Sequence, residues 1–298
     1  MKNVSITIFT PTYNRGYILN KCYESLKRQS YKNFEWIIYD DGSKDNTEKI
    51  VQEFIKEDII DIKYFYSENC GKHIAINKGT DLAKGELFFI VDSDDYLTDT
   101  ALEMVIDAWN SIDNNKKNEF VGVAGRRYLI NKNNSNFNFT TQYYDCDSIK
   151  FNLIDGNIQD KAEVYCTEIL RRYKFPQYYN ETFMTEAVIW YQLAQDGYKL
   201  RWFNEEIYIC EYLNDGLTAN FYKKRVSSIE STCFSYNKLS SFNLPKIYKF
   251  RYKINYFRYG LNKYNLKYLL ENLDNKELAL ICSFIGYIAY VRDKITNK

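Results

Sequence analysis

The chain has 298 residues, 45% of them hydrophobic, which is enough for one large α/β domain with an appendage or for two modest domains. Its 40 basic and 39 acidic residues give a net charge of +1, which argues against a protein that binds nucleic acid through its overall charge. The 29 Tyr and 19 Phe suit amphipathic surfaces such as sugar platforms or a membrane interface, or they reflect a compositional bias of the genome.

The seven cysteines are dispersed and form no Cys-x-x-Cys pair. With a single histidine in the chain, they argue against a zinc site. An odd, scattered count predicts reduced thiols and therefore a cytoplasmic protein. Because strand-like sequence begins at Val4, no targeting segment is expected.

The first ninety residues alternate between strand and helix patterns. Strands are predicted at 4–9, 34–39, 61–66 and 86–91, and helices at 17–29, 44–56 and 73–83. This alternation is typical of a parallel, doubly wound sheet, in which ligands bind at the carboxyl ends of the strands. No Gly-x-Gly-x-x-Gly follows the first strand, so a dinucleotide-binding fold has no support.

Three of these strands end in polar clusters, at 10–14, 40–43 and 92–95. The last cluster holds Asp92, Asp94 and Asp95 directly after the apolar run 88–91. Carboxylates this close repel one another and are costly to desolvate, and a hard cation such as Mg²⁺ or Mn²⁺ removes both costs. The alternative is a solvated acidic turn that caps the next helix.

The rest of the chain mixes both patterns. Helices are predicted at 99–111, 165–172, 186–194 and 246–259, strands at 120–130, 200–203 and 207–212, an Asn-rich loop at 131–138 and a turn at 215–218. The apolar segment 278–291 has 14 residues, fewer than the ~20 that span a bilayer. Basic residues flank this segment, which packs on its own protein or lies at a membrane surface.

Four motifs together resemble the inverting family 2 glycosyltransferases of the GT-A fold. They are Thr10-Pro11-Thr12-Tyr13-Asn14-Arg15, Asp40-Asp41-Gly42-Ser43 with Asp45 and Thr47, Asp92-Ser93-Asp94-Asp95, and Met184-Thr185-Glu186 followed by Trp190. The resemblance covers residues 4–215. It implies an α/β fold, a GT-A, Rossmann-like and mostly parallel sheet flanked by helices in a domain at 1–218. A helical C-terminal region is expected at 219–298, where the apolar segment either packs on its own protein or contacts a membrane surface.

By this resemblance, the chain is expected to transfer a sugar, with inversion, from a nucleotide-sugar donor, by family habit a UDP-sugar. The acceptor is a hydroxyl of a glycan or lipid-linked saccharide, in cell-surface polysaccharide synthesis in the cytoplasm or on the cytoplasmic face of the inner membrane. One alternative is a partner subunit that binds the sugar nucleotide without catalysis. Another is a nucleotidyltransferase, which normally shows a Gly-rich basic loop where Pro11-Thr12-Tyr13 stands here.

The resemblance also assigns roles to single residues. Donor binding falls to Thr10, Pro11, Tyr13, Asp41, Asn69, Lys72, Asp92 and Ser93, with Tyr13 stacking on the base and Asp41 accepting its imide N–H. Asp94 is the direct ligand of Mn²⁺ or Mg²⁺, Asp92 reaches the ribose, the metal or its water, and Asp95 orients the others. The alternatives are loop packing for Tyr13, helix capping for Asp41, and a solvated charge for Lys72.

Glu186 is the expected general base, because the N-terminus of a helix keeps a carboxylate ionised. The family usually shows two adjacent acids there, whereas this chain has Thr185 before Glu186, so Glu181 is held in reserve. His73 is expected to cap or pack, and Asp160, beside Lys161, to touch the donor sugar or acceptor. Lys223, Lys224 and Arg225 close over the diphosphate, meet lipid headgroups or form an exposed charge run.

Overall fold

The computed structural model describes residues 4–130, 136–211 and 221–296. It divides into two compact units. The first comprises Met1–Lys174 and Gly197–Asn214, and the second comprises Phe175–Asp196 and Asp215–Lys298. The Asn-rich loop at 131–138 lies partly, and the turn at 215–218 wholly, outside the described residues.

This division differs from the domains at 1–218 and 219–298 expected from the sequence, because 175–196 join the C-terminal helices. The reason is side-chain packing and capping within the second unit. Helix α6 (Ala187–Gln195) contacts α8 (Ile229–Ser241), and the Glu181 carboxylate accepts backbone N–H groups from the first turn of α8.

The first unit, over its described residues, carries a nine-stranded sheet. Its strands are β1 (Ile6–Thr12), β2 (Phe34–Asp40), β3 (Asp61–Tyr66), β4 (Leu87–Ile90), β5 (Tyr96–Leu97), β6 (Phe120–Leu129), β7 (Tyr144–Cys146), β8 (Lys161–Cys166) and β9 (Lys199–Cys210). Their order in the sheet is β3-β2-β1-β4-β8-β6-β9-β5, and β7 pairs with β9.

The four strands predicted in the first ninety residues are neighbours in the sheet and pair in parallel, as expected. β1 lies between β2 and β4, and β2 pairs with β3, all in parallel register. Helices α1 (Gly16–Lys27), α2 (Thr47–Glu57) and α3 (Lys72–Leu82) make the crossovers. The apolar face of α1 and the β-branched residues of β1 are buried in one core, which orients the ends of these strands.

The second half of the sheet departs from the sequence prediction. A helix was predicted at 165–172, but its first two residues belong to strand β8, which covers residues 161–166. Only Thr167–Arg171 are helical, as α5. The two strands predicted at 200–203 and 207–212 are one strand, β9. β9 pairs in parallel with β6 through register shifts, and such irregularities obscure the alternation by which a strand is recognised.

The second unit is helical. After α6 it contains α7 (Phe221–Ser227), α8, α9 (Lys246–Gly260), α10 (Leu266–Glu271) and α11 (Ala279–Thr296), while α4 (Ala101–Asn110) belongs to the first unit. α9 packs between α8 and α11 around a core that includes Phe257 and Leu269. Among the described residues, no helix combines the length and hydropathy that crossing a bilayer requires.

Candidate functional site

The carboxyl ends of β1, β2 and β4 bring the three polar motifs to one edge of the sheet. Thr12 pairs with Asp40 across β1 and β2, and Phe9 pairs with Ile90 across β1 and β4. The pairing continues past the strand ends, because the Asp41 N–H donates to the Thr12 carbonyl at 2.9 Å. Motifs that lie about 30 and 80 residues apart in the sequence therefore share one site.

Asp40 and Asp41 hold the loops around this edge. The Asp40 carboxylate accepts the Tyr64 hydroxyl and the Ser43 N–H, each at 2.7 Å. The Asp41 carboxylate accepts the N–H groups of Cys70 and Gly71, each at 2.8 Å. Burial raises the pKa of Asp41 although these two hydrogen bonds oppose the shift. Asp41 thus fixes the loop that carries Asn69. Donor binding by Asp41 and Asn69 stays a prediction from the sequence.

The first two motif loops fasten each other. The Asn14 N–H donates to the Ser43 hydroxyl at 2.8 Å, and the Asn14 side-chain oxygen accepts the Lys44 N–H at 2.7 Å. Asn14 has a φ of 53°, a left-handed conformation that Asn tolerates better than most residues. Tyr13 precedes it and is 47% exposed, so part of this residue is accessible to a ligand.

Asp92 is held as a charged carboxylate. Its Oδ1 lies 2.7 Å from the Lys72 ammonium, at the first residue of α3. Burial would raise the pKa of Asp92, but the charges of Lys72 and Arg127 outweigh it and lower the pKa. The structure thus brings together two residues, Lys72 and Asp92, that the sequence analysis placed in the donor site separately.

The pKa values of Asp94 and Asp95 are raised, in contrast to that of Asp92. Burial, followed by the negative charge of Asp92, raises the pKa of Asp94. The same two causes raise the pKa of Asp95 to about 7. These acids lie in one tight turn, in which the Asp95 N–H donates to the Asp92 carbonyl at 3.0 Å. Ser93, within the turn, is buried. Added positive charge would relieve this repulsion.

Two residues next to the acids, Tyr208 and Arg127, were not predicted from the sequence. The Tyr208 hydroxyl accepts the Asp92 N–H at 2.9 Å and is hydrogen-bonded to the Asp95 carboxylate. The Arg127 guanidinium lies 4.1 Å from the Tyr208 ring centroid, and its charge acts on both acids. The one sequence signal was two consecutive arginines, Arg126 and Arg127, directly after the apolar run 120–125.

Thr10 does not offer its side chain to a ligand, which corrects the sequence prediction. It is fully buried, and its hydroxyl accepts the Trp36 indole N–H at 2.9 Å. The cause is strand alternation, since Thr10 faces the core beneath α1 and the partly exposed Pro11 faces the other way. Thr12, two residues on, is buried with a hydroxyl oxygen that has no hydrogen-bond partner in the described structure.

Three further residues singled out in the sequence, His73, Asp160 and Lys161, lie in the first unit. His73 is buried, and burial lowers its pKa to about 4, so a neutral packing role fits. Lys161 is the first residue of β8. Because β8 runs antiparallel to β4, Lys161 lies toward the end of β4 that leads into Asp92. Burial lowers the pKa of Lys161, against the charges of Glu163 and Asp160.

Both candidate bases belong to the second unit. Glu186 is the N-cap residue of α6, as the sequence predicted for a helix start. Glu181 has a different task, since its two carboxylate oxygens accept the N–H groups of Glu230 and Ser231 at 2.8 and 2.7 Å. Because both oxygens accept N–H groups at the start of α8, the Glu181 carboxylate acts as a helix cap. This argues against Glu181 as the reserve candidate for the general base.

Arg225 is part of an aromatic cluster rather than an exposed charge. Its guanidinium lies 4.9 Å from the Phe221 ring centroid, and about 6 Å from three more rings: Phe183, Tyr236 and Tyr259. These contacts fix the last residue of the Lys223-Lys224-Arg225 run inside the second unit.

The donor set at the sheet edge fits a hard divalent cation. The described residues contain no preformed group of three metal-binding side chains, so such an ion would need ligands from elsewhere. Asp94 and Asp92 offer carboxylate oxygens, and Mg²⁺ or Mn²⁺ commonly takes one or two of these with phosphate oxygens completing its shell. Burial and the charge of Asp92 raise the pKa values of Asp94 and Asp95, and a bound cation would favour their ionised forms.

Solved structures share this architecture. S. aureus TarS 1-349, in complex with UDP-GlcNAc, matches with a TM-score of 0.67 and 14% identity over 99% of this chain and 92% of that one. The mannosyltransferase PcManGT from Pyrobaculum calidifontis, in complex with GDP-Man and Mn²⁺, has a TM-score of 0.56 and 14% identity over 98% of this chain and 87% of its own. At these identities the likeness shows the fold, which is GT-A as predicted.

Curated relatives are glycosyltransferases. GlyG of Streptococcus pneumoniae is 34% identical over 135 residues, which cover 45% of this chain and 42% of GlyG. The GalNAc(5)-diNAcBac-PP-undecaprenol beta-1,3-glucosyltransferase of Campylobacter jejuni is 27% identical over 83% of this chain and 86% of its own. The model of glycosyl transferase family 2 matches residues 7–179, more than half of the chain. The chain therefore belongs to glycosyl transferase family 2.

Proposed function

We propose that this glycosyltransferase moves a sugar from a UDP-sugar to a hydroxyl group with inversion and with the help of Mn²⁺ or Mg²⁺. The observation that carries the proposal is the set of acids at the ends of β2 and β4, with Asp41 on one side and Asp92, Asp94 and Asp95 on the other. The UDP-GlcNAc complex of TarS and the Mn²⁺ complex of PcManGT support the donor and the metal.

The nucleoside half of the donor is assigned to the loops after β1, β2 and β3. Tyr13, which is 47% exposed, stacks on the base. Asp41 keeps lone pairs beyond the two that accept Cys70 and Gly71, and these accept the base N–H. Asn69 is assigned to the edge of the nucleotide base. Pro11, near the end of β1, is assigned to the same binding site.

The diphosphate half is assigned to the acid motif and α3. Asp94 would be the direct metal ligand, and Asp92 would reach the ribose, the metal or its water. Bound metal supplies positive charge where the diphosphate leaves. Lys72 keeps Asp92 ionised across 2.7 Å and would offer its ammonium to the phosphates, while the Ser93 turn spaces the acids.

Glu186 is assigned as the general base that removes the proton from the acceptor hydroxyl. Its carboxyl group lies at the start of α6, and a positioned base contributes about 10²–10⁴-fold to the rate. Because Glu181 is already occupied as the cap of α8, it is not proposed as the base.

The acceptor is proposed to be a glycan or a lipid-linked saccharide, in cell-surface polysaccharide synthesis. The name of the C. jejuni relative, a glucosyltransferase acting on a saccharide linked through PP to undecaprenol, supports this class. We place the reaction in the cytoplasm or at the inner face of the membrane. The seven cysteines all lie in described ranges and are free thiols, as a reducing compartment favours.

The metal and base assignments are tested by Asp94→Asn and Glu186→Gln, with Asp107→Asn, an exposed acid of α4, as the matched control. Transfer and donor hydrolysis are measured with a panel of UDP-sugars and Mn²⁺, and donor binding by thermal stabilisation. Asp94→Asn should lose both transfer and Mn²⁺-dependent stabilisation. Glu186→Gln should keep donor binding but turn over about 10²–10⁴ times more slowly. Full activity of Asp94→Asn would overturn the metal assignment, and full activity of Glu186→Gln the assigned base.

A further inference from the structure

The outer face of α11 is apolar along the length of the helix. Seven side chains on this face are each at least 37% exposed, and we call them the outer stripe: Leu280, Ile281, Phe284, Tyr287, Ile288, Val291 and Ile295. Soluble monomeric proteins rarely leave so continuous an apolar surface in water. A surface of this kind indicates contact with something outside the described structure.

The stripe cannot turn inward, because the opposite face of α11 is fixed on α9. At 3.6 residues per turn, the seven positions fall within an arc of about 120°. Opposite them, the buried Asp293 carboxylate accepts the Arg258 guanidinium at 2.9 Å. A Cβ at Gly286 would lie 2.7 Å from the Phe257 Cβ, so the two helices are packed as closely as their backbones allow. The outer stripe therefore faces away from the core of its unit.

Positive charge borders the stripe on both sides. On a helical projection, Arg292 lies about 20° beyond Ile281 and Lys294 about 20° beyond Tyr287. Both basic side chains are exposed, and Lys276 precedes the helix on the surface. Long basic side chains at the edge of an apolar face can lay their stems along it and reach charged groups beyond.

The charge of the chain is unevenly divided. Residues 221–296 contain 14 basic and five acidic residues, a net charge of +9, while the rest of the chain contains 26 basic and 34 acidic residues. The near-neutral total therefore conceals a basic C-terminal region. This charge favours an anionic occupant over a second copy of the same helix, which would bring like charges together.

We propose that the outer stripe of α11 binds an anionic lipid bilayer, with the helix lying in the headgroup region parallel to the membrane. None of the helices in the described ranges can cross the bilayer, whereas an apolar face bordered by Lys and Arg is typical of a helix at its surface. Tyr287 on the stripe and Tyr290 beside it have rings suited to that interface. Lipid binding involves the second unit alone and does not require the proposed transfer reaction.

The test is co-sedimentation of the full chain with vesicles of equimolar phosphatidylcholine and phosphatidylglycerol, and with vesicles of phosphatidylcholine alone. Wild type should bind the anionic vesicles more tightly, and salt at about 1 M should weaken binding. Phe284→Glu with Ile288→Glu should abolish sedimentation, while Ile59→Glu, an equally exposed isoleucine of the first unit, should not. The triple variant Lys276→Gln, Arg292→Gln, Lys294→Gln should bind anionic vesicles about 100-fold more weakly.

Each other outcome overturns the proposal. Equal binding to both vesicles, or binding by Phe284→Glu with Ile288→Glu at the wild-type level, would remove the lipid surface as the partner. A wild-type dimer in sedimentation velocity without lipid, made monomeric by the same two substitutions, would show that a second copy covers the stripe. Circular dichroism and the donor-induced melting shift identify folded variants, and the triple variant, which leaves the stripe intact, tests the proposal should the double variant misfold.

Discussion

Replacing Glu181 distinguishes a helix cap from a catalytic base. Glu181 is 9% exposed, and its carboxylate accepts the N–H groups of Glu230 and Ser231 at 2.8 and 2.7 Å, at the second and third positions of α8. Glu181→Ala leaves both donors without their partner at the positive end of a helix dipole. Loss of an N-cap costs about 0.5–2 kcal/mol, and each hydrogen bond to a charged group contributes about 1.5–3 kcal/mol. Allowing for partial replacement by water, we expect the free energy of unfolding to fall by about 2–4 kcal/mol.

The assay is urea unfolding followed by circular dichroism, with turnover measured per folded molecule. Glu181→Gln keeps one acceptor oxygen and should lose about half as much stability. Glu271→Ala is the control, because Glu271 is exposed in the same unit and should change stability by less than ~0.5 kcal/mol. Turnover of folded Glu181→Ala should match wild type. A loss of about 10²-fold or more with unchanged stability would refute the cap and restore Glu181 as the base.

Three further predictions follow from buried contacts. Gly79→Ala should destabilise the first unit by about 1–3 kcal/mol in urea unfolding, because the new Cβ would lie 2.2 Å from a ring carbon of Phe9; equal stability would contradict this packing. Burial lowers the pKa of His73 to about 4 from an ordinary value near 6.5, so the unfolded chain takes up the proton first as pH falls. Stability should decline by about 3 kcal/mol from pH 6.5 to 4, and His73→Gln should remove that part of the pH dependence; an identical pH profile for the variant would refute it. Arg225→Lys should lower stability by about 1 kcal/mol without changing the KM for donor, whereas a raised KM would indicate a lid.

Local signals in the sequence were enough for the first half of the fold. β-branched runs, helical spacing and short connections predicted four strands and three helices, and each was found within a few residues of its predicted bounds. Parallel strands joined by right-handed crossovers leave little choice of arrangement, so clusters that follow them meet at one edge. The placement of Asp41 and Asp92 at the same edge of the sheet could be predicted for that reason.

The second half was harder to predict because its strands depend on distant partners. β8 is antiparallel to both β4 and β6, and the short β5 and β7 exist only through their pairing with β9. A strand as short as Tyr96–Leu97 carries no periodicity of its own. Missing these pairings also hid the contact of the acids with Tyr208.

The sequence by itself determined the family, the parallel half of the sheet and the acids at its edge, because these depend on contiguous motifs and on the period of each strand and helix. Tertiary structure alone decided what each acid touches. Asp92 meets Tyr208 across 116 positions, Thr10 turns into the core, and Glu181 caps a helix that begins 48 residues later. Such contacts are fixed by the packing of whole elements, and no local pattern encodes them.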